Sequence, residues 1–202
     1  MDVKSLMSIS VLRPLVWLDF RLAVLFTVII PLILLGWAWR VKSEPVQQSL
    51  IIYWRVASLL AIAVLLMIGE LPISFWAGIT ARVLIPLALW WWQDLNEEIS
   101  HLRHPVAFAY RTWRWAVSIY ALGGLAFNIL FANCGLLSVN NLYNTCRVWF
   151  EPPLAFQKLF LGSFTTENLI FVGVVGLIVY SLYFLVFLVF TLPKQGRMAL
   201  RE

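Results

Sequence analysis

Apolar residues fall into five long runs, at positions 22–39, 50–69, 71–92, 115–131 and 169–192, separated by short polar stretches and one longer connection at 132–168. Each run reaches about the 17–25 residues that a helix needs to cross the hydrocarbon of a bilayer. Lipid offers no substitute for backbone hydrogen bonds, so each run is predicted to be an α-helix. Only the segment around Glu70 and Pro72 parts the second and third runs, which predicts a tight antiparallel hairpin. Pro31 lies inside the first run, where it removes one helical hydrogen bond and kinks the span. The pattern therefore predicts a single all-α integral membrane domain with five transmembrane helices and one long external loop, 132–168. Within that loop, PPLAFQKLFLGSF reads as a short amphipathic helix lying along the interface. An alternative keeps four spans and makes the third run re-entrant, because Arg82 splits it.

Composition agrees with a membrane setting. Apolar residues make up 62% of the chain, charged residues 12%, and mean hydropathy is +0.86. A water-soluble surface needs roughly twice that charged share. The net charge of +5 is carried largely at the ends of the runs, as membrane insertion requires, so it is no footprint of nucleic-acid binding. Arg13, Asp19 and Arg21 interrupt the first apolar stretch before any small-residue cleavage site, so the first span is expected to act as an uncleaved insertion signal. With five spans, Lys4, Arg13, Arg21, Arg147 and Lys158 fall on one side. Arg40, Lys42, Arg103, Arg111, Arg114, Lys194, Arg197 and Arg201 fall on the other. Eight against five places the C-terminus in the cytoplasm and the long loop outside. Tryptophans at 37, 39, 54, 90, 91, 92, 113 and 115 gather at the cytoplasmic ends and read as an aromatic belt.

Arg82 is the most expensive residue in the pattern. It lies about 11 residues along its helix, roughly 16 Å from the turn, near the middle of a hydrocarbon core about 30 Å thick. A charge there costs about 2.5–3.5 kcal/mol on insertion scales. Glu70 and Asp94 are each 12 residues away along the chain, and no other predicted span contains a carboxylate. Candidate partners are Ser118 and Asn128 on the fourth run, a freed backbone carbonyl, or a carboxylate from another subunit. The plainer reading is an arginine snorkelling in a hydrated break of the helix. Arg55, about 7–8 Å inside its span, can reach lipid phosphates by the same means.

Asp94, Glu97 and Glu98 cluster on a predicted cytoplasmic helix and read as a docking surface. His101 and His104 stand in an HxxH spacing, but Pro105 ends the helix and no second ligand cluster follows, so no metal site or cofactor is predicted. Cys134 and Cys146, the only cysteines, share the external loop and can form a disulfide worth about 3 kcal/mol in the chain-entropy model. Gly173 and Gly176 on the fifth run and Gly123 and Gly124 on the fourth suggest that those two spans are neighbours.

The segments DFRLAVLFTVIIPLILLGWAW, SLIIYWRVASLLAI, LPISFWAGITARVLIPL, WWQDLNEEI, TWRWAV, CRVWFEPP and KQGR cover much of the chain. As a set they resemble a family of cyanobacterial integral membrane proteins of unassigned function. The resemblance implies a thylakoid or plasma membrane of a photosynthetic bacterium and transfers no catalytic residue. The expected function is that of a non-enzymatic scaffold, accessory or assembly factor, partnered by the bilayer and by other membrane subunits of a larger, photosynthetic complex. A small solute or anion permease with Arg82 facing the path is the competing class. An embedded enzyme ranks third, for want of a paired nucleophile and base.

Overall fold

The computed structural model describes residues 9–136 and 144–199. Lys4, Arg201 and positions 137–143 of the predicted loop lie outside the described residues. All regular structure described is helical. In chain order the helices are α1 (Ile9–Arg40), α2 (Glu44–Ile68), α3 (Ile73–Trp91), α4 (Gln93–His101), α5 (Pro105–Ile129), α6 (Glu151–Phe160) and α7 (Thr166–Lys194). Four of them, α1, α2, α3 and α7, are long and apolar enough to cross a membrane. Helix α5 is as long as α2, 25 residues, but is less apolar; it carries Arg111, Arg114, Ser118 and Asn128. Its polar groups are sheltered by position. Ala107, Tyr110, Trp113, Val117 and Ala121 are buried on α5, against α1, α2 and α3.

Three expectations are corrected. The first helix begins by Ile9 rather than at 22, because charges at 13, 19 and 21 sit within it instead of ending it. Its buried stripe runs Leu12, Val16, Thr27, Pro31, Leu34 and Ala38, a helical spacing on which Asp19 also falls. Helix α3 passes unbroken through Arg82 and Pro86, so the arginine does not divide it into a re-entrant pair. Helix α7 packs on α2 rather than α5. Gly173 lies against Leu65 and Leu66, and Gly176 against Ile62, close approaches that a side chain would obstruct. The α1–α2 and α2–α3 turns are tight enough to hold Lys42 and Glu70 at φ of 53°, left-handed backbone that non-glycine residues adopt at some cost.

Pro31 organises three helices. Having no N–H, it leaves the Thr27 carbonyl without its α-helical donor, and the Phe26 carbonyl without one in the wider turn that α1 adopts over Val24–Ile29. Tyr53 from α2 donates its hydroxyl to Thr27 O at 2.8 Å, and Trp113 from α5 donates Nε1 to Phe26 O at 2.8 Å. The two rings meet edge to face at 4.9 Å. Trp113 and Trp92 are thus interior residues, at 3% and 6% exposure, whereas Trp39 and Trp115 keep the outward position expected of a belt. We expect Tyr53→Phe to lower stability by about 1 kcal/mol, the net worth of one hydrogen bond. That loss should shrink in a Pro31→Ala background, where a backbone N–H returns. Equal losses in both backgrounds, measured by detergent unfolding, would show that the hydroxyl does not compensate for the proline.

The described part of the connection after α5 folds over one end of the bundle. Cys134 and Cys146 are joined by a disulfide with Cα atoms 5.7 Å apart. Trp149 packs on Phe127 and Phe131 at 5.3 and 5.5 Å, and Phe150 on Phe75 at 5.7 Å. Arg13 of α1 pairs with Glu151 of α6 at 3.0 Å. These contacts make the segment a cap fastened to α1, α3 and α5.

Candidate functional site

Asp19 of α1, Arg82 of α3 and Tyr120 of α5 meet inside the bundle. Each lies about 14–15 Å along its helix from the capped end, by the 1.5 Å rise per residue, so three separate segments bring them to one level. Arg82 Nη2 donates to Asp19 Oδ2 at 2.5 Å, with side-chain exposures of 7% and 14%. Tyr120 donates its hydroxyl to the Asp19 carboxylate at 3.1 Å and to its backbone carbonyl at 3.0 Å. The Arg82 guanidinium also lies over the Tyr120 ring, 5.2 Å from its centroid. On the remaining side Nη1 fills the space that a side chain at Gly124 would occupy. Opposite charges, an aromatic face and a missing Cβ together make an arginine tolerable at this depth.

The counter-charge therefore comes from within the chain. The expectation that Arg82 has no internal carboxylate fails because the first helix is longer than its apolar run, and Asp19 belongs to it. Nor does either expected partner hold Arg82. Ser118 accepts from Trp90 Nε1 at 3.0 Å and donates to the Arg114 carbonyl at 2.7 Å. Asn128 is buried one turn beyond Gly124, where its carbonyl accepts from the Phe131 N–H. Arg55 is exposed on α2, away from this cluster. One signal could have found the pair: Asp19 is spaced i+7 and i+3 from the apolar positions Leu12 and Val16, which places it on the buried face of a helix extended towards the N-terminus.

Arg114, counted by the sequence among the charges outside the spans because it sits at the edge of its apolar run, is a second interior cation. Its guanidinium stacks on Trp90 at 4.2 Å and donates to Asn96 Oδ1 of α4. Arg111 adds a bond to the Ser100 carbonyl at 3.3 Å. Leu95 and Ile99 are buried under α4, while Glu97 and Glu98 face outward and Asp94 is half-buried. His104 does not act with His101: its Nδ1 accepts from the Val106 N–H and caps α5. Among the described residues no group of three His, Cys, Asp or Glu side chains is placed to hold a metal ion.

A family model described as a protein of unknown function, DUF3177, matches residues 13–200. The chain belongs to that family. The match takes in every residue of the Asp19 and Arg114 clusters and both cysteines. No curated protein and no solved structure matches the chain significantly.

Proposed function

We propose that this member of the family is a non-enzymatic scaffold, accessory or assembly factor, which presents α4 to a partner subunit of a larger membrane complex. One observation carries the reading: α4 is a rigid, outward-facing helix that its own sequence could not stabilise. Nine residues are too few for an isolated helix to persist in water. Its rigidity is imposed by Leu95 and Ile99 below, by Arg114 and Arg111 from α5, and by the Gln93 N–H bond to the Arg197 carbonyl at 3.0 Å. The result is a fixed acidic face formed by Glu97 and Glu98, suited to a basic partner surface. The internal pairing of Arg82 takes away the charge that an anion path would need, which disfavours a permease. We further place the protein in the thylakoid or plasma membrane of a photosynthetic bacterium. In that setting α5 is a fifth crossing, the cap lies outside, and α4 and the C-terminus are cytoplasmic, following the basic residues at that end.

The test is a charge reversal at exposed positions that leaves the bundle intact. Native membranes carrying the tagged protein should yield a large complex on a native gel, and Glu97→Lys with Glu98→Lys should release the protein from it without lowering its thermal stability. A wild-type protein migrating alone, near 23.2 kDa plus detergent, would defeat the proposal. So would solute or anion flux in proteoliposomes that the double variant abolishes.

A further inference from the structure

A cleft of about 520 Å³ opens between α2, α3 and α7, beside the end of α3 that leads into α4. It extends from Leu192 to Tyr180 along α7, about 18 Å at the helical rise per residue. Its walls are apolar and aromatic, with Ala88, Trp91 and Phe187 among them. Polar side chains come from two helices, Gln48 and Arg55 on α2 and Tyr180 and Tyr183 on α7, and Arg55 is the one cation among the described lining residues. Among the described residues the Arg55 side chain makes no hydrogen bond or ion pair, and no carboxylate lines the cleft. The chain after α7 folds back at the mouth, where Gly196 O accepts from Trp91 Nε1 at 3.1 Å and Arg197 Nε donates to Trp91 O at 3.2 Å. That fold brings a second cation, Arg197, to the entrance, its guanidinium 5.4 Å from the Trp91 ring centroid.

We propose that the cleft is a binding site for one anionic phospholipid. An acyl chain lies between α3 and α7, and the headgroup phosphate is held by Arg55 with Gln48. An elongated apolar slot with Gln48 and Arg55 two helical turns apart on its α2 wall, and Arg197 at its mouth, suits the acyl chain and anionic headgroup of such an amphiphile. A volume within the usual range of ligand sites, about 300–1,000 Å³, accommodates a chain rather than a whole bilayer contact. The proposal is independent of the docking role of α4.

Native mass spectrometry of delipidated full-length protein, offered phosphatidylglycerol and phosphatidylcholine in equal amounts, tests it. The expected result is one retained lipid, with phosphatidylglycerol favoured about fivefold, the ratio for roughly one surface cation. Arg55→Gln, at an exposed position, should erase the preference. Ala88→Trp should fill the slot and lower occupancy by both lipids. Inorganic phosphate at millimolar concentration should not displace the bound lipid. A graded series of lipids with no discrete first site, a preference that survives Arg55→Gln, or displacement by phosphate alone would each overturn the assignment.

Discussion

Asp19→Asn should cost about 3–5 kcal/mol of stability, the range for removing one partner of a buried ion pair. The carboxylate is the only anion in contact with Arg82 among the described residues, and the guanidinium is 7% exposed, so water cannot take its place. Asparagine keeps the size and an acceptor for Tyr120 but leaves the cation uncompensated. The same arithmetic predicts that the damage is not additive. In Asp19→Leu with Arg82→Met both charges are gone, and such replacements are often neutral or better. Unfolding of the single and double variants in a detergent mixture gives the comparison. A single variant within about 0.5 kcal/mol of wild type, the usual size of a surface substitution, would mean that the two charges do not depend on each other.

Gly124→Ala should cost about 3 kcal/mol, the upper end of the overpacking range, because the new methyl group would overlap the Arg82 guanidinium. That group ends a flexible side chain, but it can move only by giving up Asp19. The sign is expected to reverse when the arginine is removed. Methionine at 82 ends near the position of Arg82 Nε, which is 3.4 Å from an added methyl, an ordinary contact. In an Arg82→Met background the alanine should then gain about 1 kcal/mol from helix propensity. Thermal unfolding of the four combinations separates the two effects. Loss of the same size in both backgrounds would place the strain in backbone packing and not in the arginine.

Several parts of this architecture can be read from the residues in order. The hairpin between α2 and α3 follows from two apolar runs parted only around Glu70. The short helix α6 follows from its proline start and its alternation of Phe and Leu with Gln and Lys. The pairing of Cys134 with Cys146 follows from their shared placement. Asp19 escapes the same reasoning because it stands with Arg13 and Arg21 in a cluster of charges, which hydropathy reads as the end of a span. A charge whose partner lies 63 residues away looks like a boundary until the two meet. Arg114 escapes for the same reason, since the stacking on Trp90 and the bond it donates to Asn96 of α4 are both tertiary.

What the order of residues decides, then, is solvent: runs this long and this apolar commit the chain to helices in lipid, since backbone groups there have no other way to be satisfied. Which charges may stay inside is a question of register between helices. Hydropathy sums over neighbours along the chain, whereas the electrostatic cost of Arg82 is set by Asp19, Tyr120 and Gly124, which come together only when α1, α3 and α5 are packed.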